Sequence, residues 1–321
     1  MSVFAYANKA KCEAEFMEDS VYVGNIGEYV ILMVADGNGT SSGQVDSGIL
    51  ATSLATDWLN HLLLNPDGSE KELTIQEVGQ QLELAMFGLS RCYITMNALD
   101  EKYNTLYCSL IITVIDELSL DMVTASIGNC EIHRVRNGED KLLNRVHSEA
   151  YESYKAGKLP EGEWRDSPKR GILTSALGRF DEPSIDILQS KLEPDDIVFM
   201  TTDGLLHVTG PAGILDELFD NADDIAQATD AVLDRAAGLD CPDNCALVVG
   251  YVLDDVRGRT ESNYSQQQPA QSRHSNPLGN DVNNAHGDIR SQQIPEQYQR
   301  NRQSSQQLQR RSGGIRRGGR R

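Results

Sequence analysis

Short, predominantly apolar runs constrain this chain more than any other feature. They fall at residues 29–34, 106–115, 197–201 and 245–252. Each has the length of a buried strand and falls well short of the roughly 18 residues a membrane helix needs. A strand at 121–127 follows 106–115 after a short connection. Residues 131–136 and 141–146 flank Asn137-Gly138, a strong hairpin turn signal. Helical spacing appears in two long segments. Residues 42–64 place Val45, Ile49, Ala51, Leu54, Ala55, Trp58, Leu59 and Leu62 at spacings near three and four, and 74–96 do the same with Val78, Leu82, Ala85, Met86 and Leu89 behind a Thr74 cap. Shorter helices are expected at 212–219 and 223–237. Helices in adjacent pairs, with strands dominating between them, predict an α+β chain of antiparallel sheets with helices outside, not a βαβ alternation.

Charge divides the chain in two. The formal net charge is −19. Residues 261–321 carry ten arginines, no lysine and four acids, a net of +6, which leaves −25 on residues 1–260. The acidic part attracts cations and repels nucleic acid. The last segment is rich in Gln, Asn, Ser and Arg and poor in aliphatic residues, so it buries too little apolar surface to offset the entropy of ordering. The expectation is a domain at 1–256 and a disordered Gln/Arg-rich basic tail at 257–321. Clustered Arg with Gly spacers at 310–321 suits an electrostatic tether to an anionic partner: nucleic acid, acidic protein or lipid. Docking on the acidic body, or plain solvation, fits the same composition. Without a secretory signal or an apolar span, and with scattered cysteines, the reading is a reduced, cytoplasmic protein with no transmembrane segment. Cys241 and Cys245 are close, but no pair with zinc-like spacing accompanies them.

Acidic residues stand beside small or polar ones at apparent strand ends: Asp36-Gly37, Asp203-Gly204 and Asp243-Asn244, with Glu18-Asp19-Ser20 before a strand at Val21. Carboxylates at strand ends, with glycine admitting close backbone approach, suit a hard cation. Any single Asp-Gly pair reads first as a turn, and only the set of four points beyond that. His133, His147 and His207 read as structural or solvated, and His61, His274 and His286 carry no assignment.

Taken in order, the motifs are Met17-Glu18-Asp19-Ser20, Val34-Ala35-Asp36-Gly37-Asn38-Gly39, Ala125-Ser126-Ile127-Gly128-Asn129-Cys130, Leu173-Thr174-Ser175-Ala176-Leu177-Gly178, Met200-Thr201-Thr202-Asp203-Gly204-Leu205 and Asp243-Asn244. This set resembles the metal-dependent PPM (type 2C) serine/threonine protein phosphatases in their compact bacterial form. The resemblance implies a four-layer αββα sandwich, two packed antiparallel sheets flanked by helices. It implies two Mn²⁺ or Mg²⁺ ions between the sheets. Asp36 would bridge them, the Gly37 carbonyl would bind one, and Asp203 and Asp243 would complete the other. Glu18 would act through water, Asp19 would orient ligands, and Asn244 would support the last loop. It further implies a phosphorylated protein substrate, an opposing Ser/Thr kinase as partner, a role in signalling, and a flap over residues 147–178.

Several positions depart from the family pattern. Ala14 stands where an arginine usually grips the phosphate, with Lys9 or Lys11 as possible substitutes of poorer geometry. Asn129 replaces the aspartate of a third, weaker metal site, and Glu131 the arginine that follows it. Asn38, Tyr107-Cys108-Ser109 and Val146 also differ. Two readings follow: an active phosphatase, and a catalytically weak or inactive phosphatase-like domain that binds a phosphoprotein or kinase.

Overall fold

The computed structural model describes residues 2–10, 12–38, 46–99, 106–221 and 224–253. The tail expected at 257–321, its boundary at 256 and Lys11 lie outside them. In chain order the elements are β1 (Ser2–Ala10), β2 (Ser20–Ile26), β3 (Tyr29–Asn38), α1 (Ser47–Leu63), α2 (Ile75–Leu99), β4 (Tyr107–Asp116), β5 (Asp121–Ile127), β6 (Glu131–Arg136), β7 (Glu139–Leu142), α3 (Glu149–Lys155), β8 (Asp186–Lys191), β9 (Ile197–Thr201), α4 (Asp203–Asp220), α5 (Ile225–Ala237) and β10 (Cys245–Leu253).

Two five-stranded sheets form, in the orders β2-β3-β4-β5-β8 and β1-β10-β9-β6-β7. Neighbouring strands in both are antiparallel. The apolar runs are continuous because both faces of the inner strands are covered. Along β3, Ile31, Met33 and Ala35 face a core shared with α1 and α2. The alternate residues Val30, Leu32 and Val34 face the core between the sheets, opposite Met200, Ala246 and Val248. A third core packs β9 and β10 against α4 and α5 through Phe199, Leu247, Ile214 and Val232. These layers are the four-layer αββα sandwich, and the α+β class stands.

Local signals explain the element ends. Asp46 caps α1, accepting from the Ile49 N–H at 2.8 Å. Thr74 and Glu77 form a reciprocal capping box at α2: Glu77 accepts from the Thr74 N–H at 2.8 Å, and Thr74 Oγ1 from the Glu77 N–H at 3.3 Å. Asn137 and Gly138 both take positive φ, as the hairpin turn requires. Two expectations are corrected. Residue 36 lies inside β3, which runs on to Asn38 by pairing with β4. The helix expected from residue 212 begins nine residues earlier, at Asp203, and is broken at Gly210-Pro211, where Gly210 takes φ 61°.

Candidate metal centre

Alternation along β3 decides where Asp36 points. Even-numbered residues from Val30 to Val34 face the other sheet, so Asp36 enters the gap between the sheets at their open end. Asp203, first residue of α4, and Asp243, two residues before β10, approach from the opposite sheet. Asp36 and Asp203 meet carboxyl to carboxyl in a hydrogen bond. Burial, then the charges of Asp203, Asp19 and Asp243, pushes the Asp36 carboxyl well above the usual range. Burial, then Asp243, raises Asp203 to about 6. Asp19, 2% exposed, is likewise held well above the usual range by burial; the Thr202 hydroxyl donating to it at 2.8 Å opposes this, and Asp243 and Asp203 add to it.

The Asp-Gly pairs are not turns. Gly37 sits in a strand and Gly204 in a helix, neither at positive φ. What glycine provides is clearance. A Cβ on Gly37 would lie 2.5 Å from the Glu18 carbonyl oxygen and 2.6 Å from the Gly48 nitrogen. A Cβ on Gly204 would lie 2.1 Å from the Asn244 carbonyl oxygen. The two glycines therefore let the Glu18 segment and the Asp243-Asn244 loop close on Asp36 and Asp203. Asn244, 4% exposed, ties these parts together: its Oδ1 accepts from the Glu18 N–H at 2.6 Å, and its Nδ2 donates to the Phe16 carbonyl at 3.0 Å. Glu18 sits at the edge, where with Asp36 it helps raise the Tyr107 hydroxyl, itself raised mainly by burial.

Three supporting contacts were not legible beforehand. Asn129 donates to Asp203 Oδ2 at 2.7 Å and accepts from Ser109 Oγ at 2.8 Å. Its amide thus positions Asp203, and Ser109 fixes the amide. Lys9 Nζ donates to the Asp19 carbonyl at 2.6 Å and so braces the backbone of the acidic cluster. The adjacency Thr202-Asp203 hinted at a hydroxyl beside the carboxylates; nothing in sequence signalled Ser109.

Beside Asp203 opens a small cleft lined by Asn129, Trp164, Arg165, Arg170 and His207 among others. Its roof is the expected flap, built on a small core of Val146, Ala150, Tyr151 and Trp164. Arg165 lies over the Trp164 ring at 4.1 Å and pairs with the buried Glu131. Glu131 also holds His133 at 2.9 Å, and Asp140 holds the other ring nitrogen at 2.8 Å. The Arg170 Nε is buried without a hydrogen-bond partner. His147 is structural: Nδ1 accepts from the Gly128 N–H at 3.1 Å and Nε2 meets Asp186 at 2.9 Å.

An oxygen-only donor set with several like charges and one nearby lysine fits hard divalent cations, not zinc. Among the described residues, the group of three ligand atoms lying mutually within 4.8 Å is a different one, Cys12, Cys241 and Cys245.

No family model matches the chain. Its relatives do. It is 20% identical over 220 residues to the serine/threonine phosphatase stp of Listeria innocua, covering 68% of this chain and 83% of that one. A protein phosphatase 2C-type protein of Streptococcus pyogenes is 34% identical over 86 residues, 27% of this chain and about a third (35%) of that relative's length. The Streptococcus agalactiae serine/threonine phosphatase structure superposes with a TM-score of 0.67 at 21% identity, over 78% of this chain and 100% of that one. The catalytic domain of PstP, a serine threonine protein phosphatase in complex with two manganese ions, does so at 0.60 and 19%, over 78% and 99%. In its sequence relatives and its fold, the chain is similar to the bacterial PPM (protein phosphatase 2C-type) serine/threonine phosphatases. Among the described residues no helix is long and apolar enough to cross a membrane.

Proposed function

We propose that the chain hydrolyses Ser/Thr phosphate monoesters of phosphoproteins with two Mn²⁺ or Mg²⁺ ions. The observation that carries this reading is the approach of Asp36, Asp203 and Asp243 to the buried Asp19, a strongly anionic cluster drawn from both sheets, in which Asp36 and Asp203 are half-buried and Asp243 is exposed. Asp36, Asp203, Asp243 and the Gly37 carbonyl hold the ions, and Glu18 contributes through water. Bound there, such ions supply a nucleophilic water at neutral pH and neutralise phosphoryl oxygens. The protein residues do the rest. Asn129 keeps Asp203 oriented, and Thr202 and Asn244 fix Asp19 and the Glu18 segment. Arg170, on the flap side of the cleft with an unpartnered Nε, takes over the phosphate grip that Ala14 does not provide.

The test is hydrolysis of a phosphoserine or phosphothreonine peptide by the full chain with and without Mn²⁺, beside Asp36→Asn. Metal-dependent turnover that Asp36→Asn abolishes is expected. Phosphopeptide binding with no turnover above that variant, in folded protein, selects the non-catalytic binder instead.

A further inference from the structure

The cysteine pair that had no partner in sequence acquires one in the fold. Cys12, just beyond β1, brings its Sγ to 3.7 Å from Cys245 Sγ, and Cys241 Sγ lies 3.4 Å from the same sulfur. All three sulfurs sit within 4.8 Å of one another, and all three cysteines are free. Cys241 and Cys245 are fully buried and Cys12 is partly exposed. The two buried cysteines belong to the core beneath α4 and α5, and Cys12 packs against it.

We propose that Cys12, Cys241 and Cys245 form a second metal site, for a thiophilic divalent ion of the zinc class, that clips the end of β1 to the loop before β10. Tetrahedral thiolate coordination at about 2.3 Å per bond sets neighbouring sulfurs roughly 3.8 Å apart. The spacings from Cys245 Sγ to Cys241 Sγ and to Cys12 Sγ, 3.4 and 3.7 Å, lie just inside that value, so an ion needs only small side-chain rotations. Cys241 and Cys245 are separated by three residues, within the usual zinc-knuckle spacing. Cys12 faces solvent, which leaves the fourth position to a water or an exogenous ligand. On binding, each thiol gives its proton to solvent and each sulfur donates a pair to the ion. Sulfur donors here and oxygen donors at the carboxylate cluster select different ions. The clip also closes a loop of more than two hundred residues and restrains the chain carrying Asp243 and Asn244. This site stands whether or not the carboxylate centre catalyses.

The experiment uses the full chain, reduced and freed of metal, titrated with Co²⁺ and then Zn²⁺. Thiolate-to-cobalt charge-transfer absorption is the readout. One equivalent per chain is expected, bleached by Zn²⁺, weakened at least about tenfold in affinity in Cys12→Ser and lost in Cys245→Ser. Asp36→Asn should leave the band unchanged. Cys12 is at the surface end of the cluster, so Cys12→Ser decides the matter if Cys245→Ser fails to fold. A folded wild-type chain with no charge-transfer band makes the three cysteines ordinary packing groups and overturns the proposal. So does a band that survives both serine variants, or one that disappears in Asp36→Asn.

Discussion

Neutralising Asp203 should reverse the stability order of wild type and variant according to whether Mn²⁺ is present. In the metal-free protein, burial and Asp243 raise the Asp203 carboxyl from its ordinary 3.8 to about 6. The folded state then binds this proton more tightly than the unfolded chain. Stability from this group is therefore highest in acid, falls between about pH 4 and pH 6, and stays lowered above that. Two pH units correspond to about 3 kcal/mol at pH 7.5. Asp203→Asn removes the charge while its amide oxygen still accepts from Asn129. Allowing about 1 kcal/mol for a weaker hydrogen bond, the metal-free variant should be about 1–3 kcal/mol more stable than wild type. For a domain of this size that is a Tm higher by about 3–8 °C. Saturating Mn²⁺ at a hundred times its Kd adds about 2.7 kcal/mol to wild type, and Asp203→Asn loses most of that gain. Urea and thermal unfolding in EDTA and in Mn²⁺ measure both arms, with the exposed Asp57→Asn as a silent control. A variant less stable than wild type in EDTA, or one stabilised by Mn²⁺ as strongly as wild type, refutes the electrostatic argument.

Arg170→Ala should lower kcat/KM by about 10–100-fold, mostly through KM, the loss of one charged hydrogen bond worth about 1.5–3 kcal/mol; Arg170→Lys should restore part of it in the phosphopeptide assay. Gly204→Ala forces a methyl to 2.1 Å from the Asn244 carbonyl, so it should cost about 1–3 kcal/mol in urea unfolding and abolish the Mn²⁺-induced rise in Tm. His133 is buried, which lowers its basicity, but the hydrogen bonds to Asp140 and Glu131 outweigh this and raise its pKa above 6.5. Its contribution is present in full below pH 6.5 and fades as pH rises through the folded value, and His133→Gln should flatten that limb of the stability profile. Glu131→Gln should lower kcat/KM without changing the Mn²⁺-induced rise in Tm, and should combine with Arg170→Ala less than additively in a double-mutant cycle.

How much of this was legible follows from what each residue faces. The inner strands announced themselves because both faces are apolar, as Val30 and Ile31 serve different cores. Edge strands did not. β8 has solvent along much of its length, so it offers no apolar run, and β1 pairs with a single neighbour. The start of α4 stayed hidden because Gly204, Gly210 and Pro211 blur the helical pattern. For the site, the acidic residues were visible as types, but their convergence was carried by a family resemblance. Spacing alone does not bring residues 19, 36, 203 and 243 together. Contacts across long sequence separation left no mark at all: Asn129 with Asp203, Arg165 with Glu131, and Cys12 with Cys245, which are 233 residues apart.

Three departures from the family pattern are connected by charge. On the proposed function, a body with a net charge of −25 would have to receive a phosphoryl dianion, and with Ala14 in place of an arginine the positive charge would come from elsewhere. The cleft draws it from the flap, where Arg165 and Arg170 both line the opening. Glu131 makes this arrangement workable. An arginine at that position would repel Arg165, whereas the carboxylate binds it and His133 together and seats Trp164 on its own core. Asn129 completes the exchange. An aspartate there would add another negative charge against Asp203, while the amide donates to it at 2.7 Å. If the phosphate grip lies on the flap and not in a segment before β2, as proposed, capture depends on how the flap is seated. This is why Glu131, which touches neither metal ligand nor phosphate, belongs with Arg170 in one thermodynamic unit.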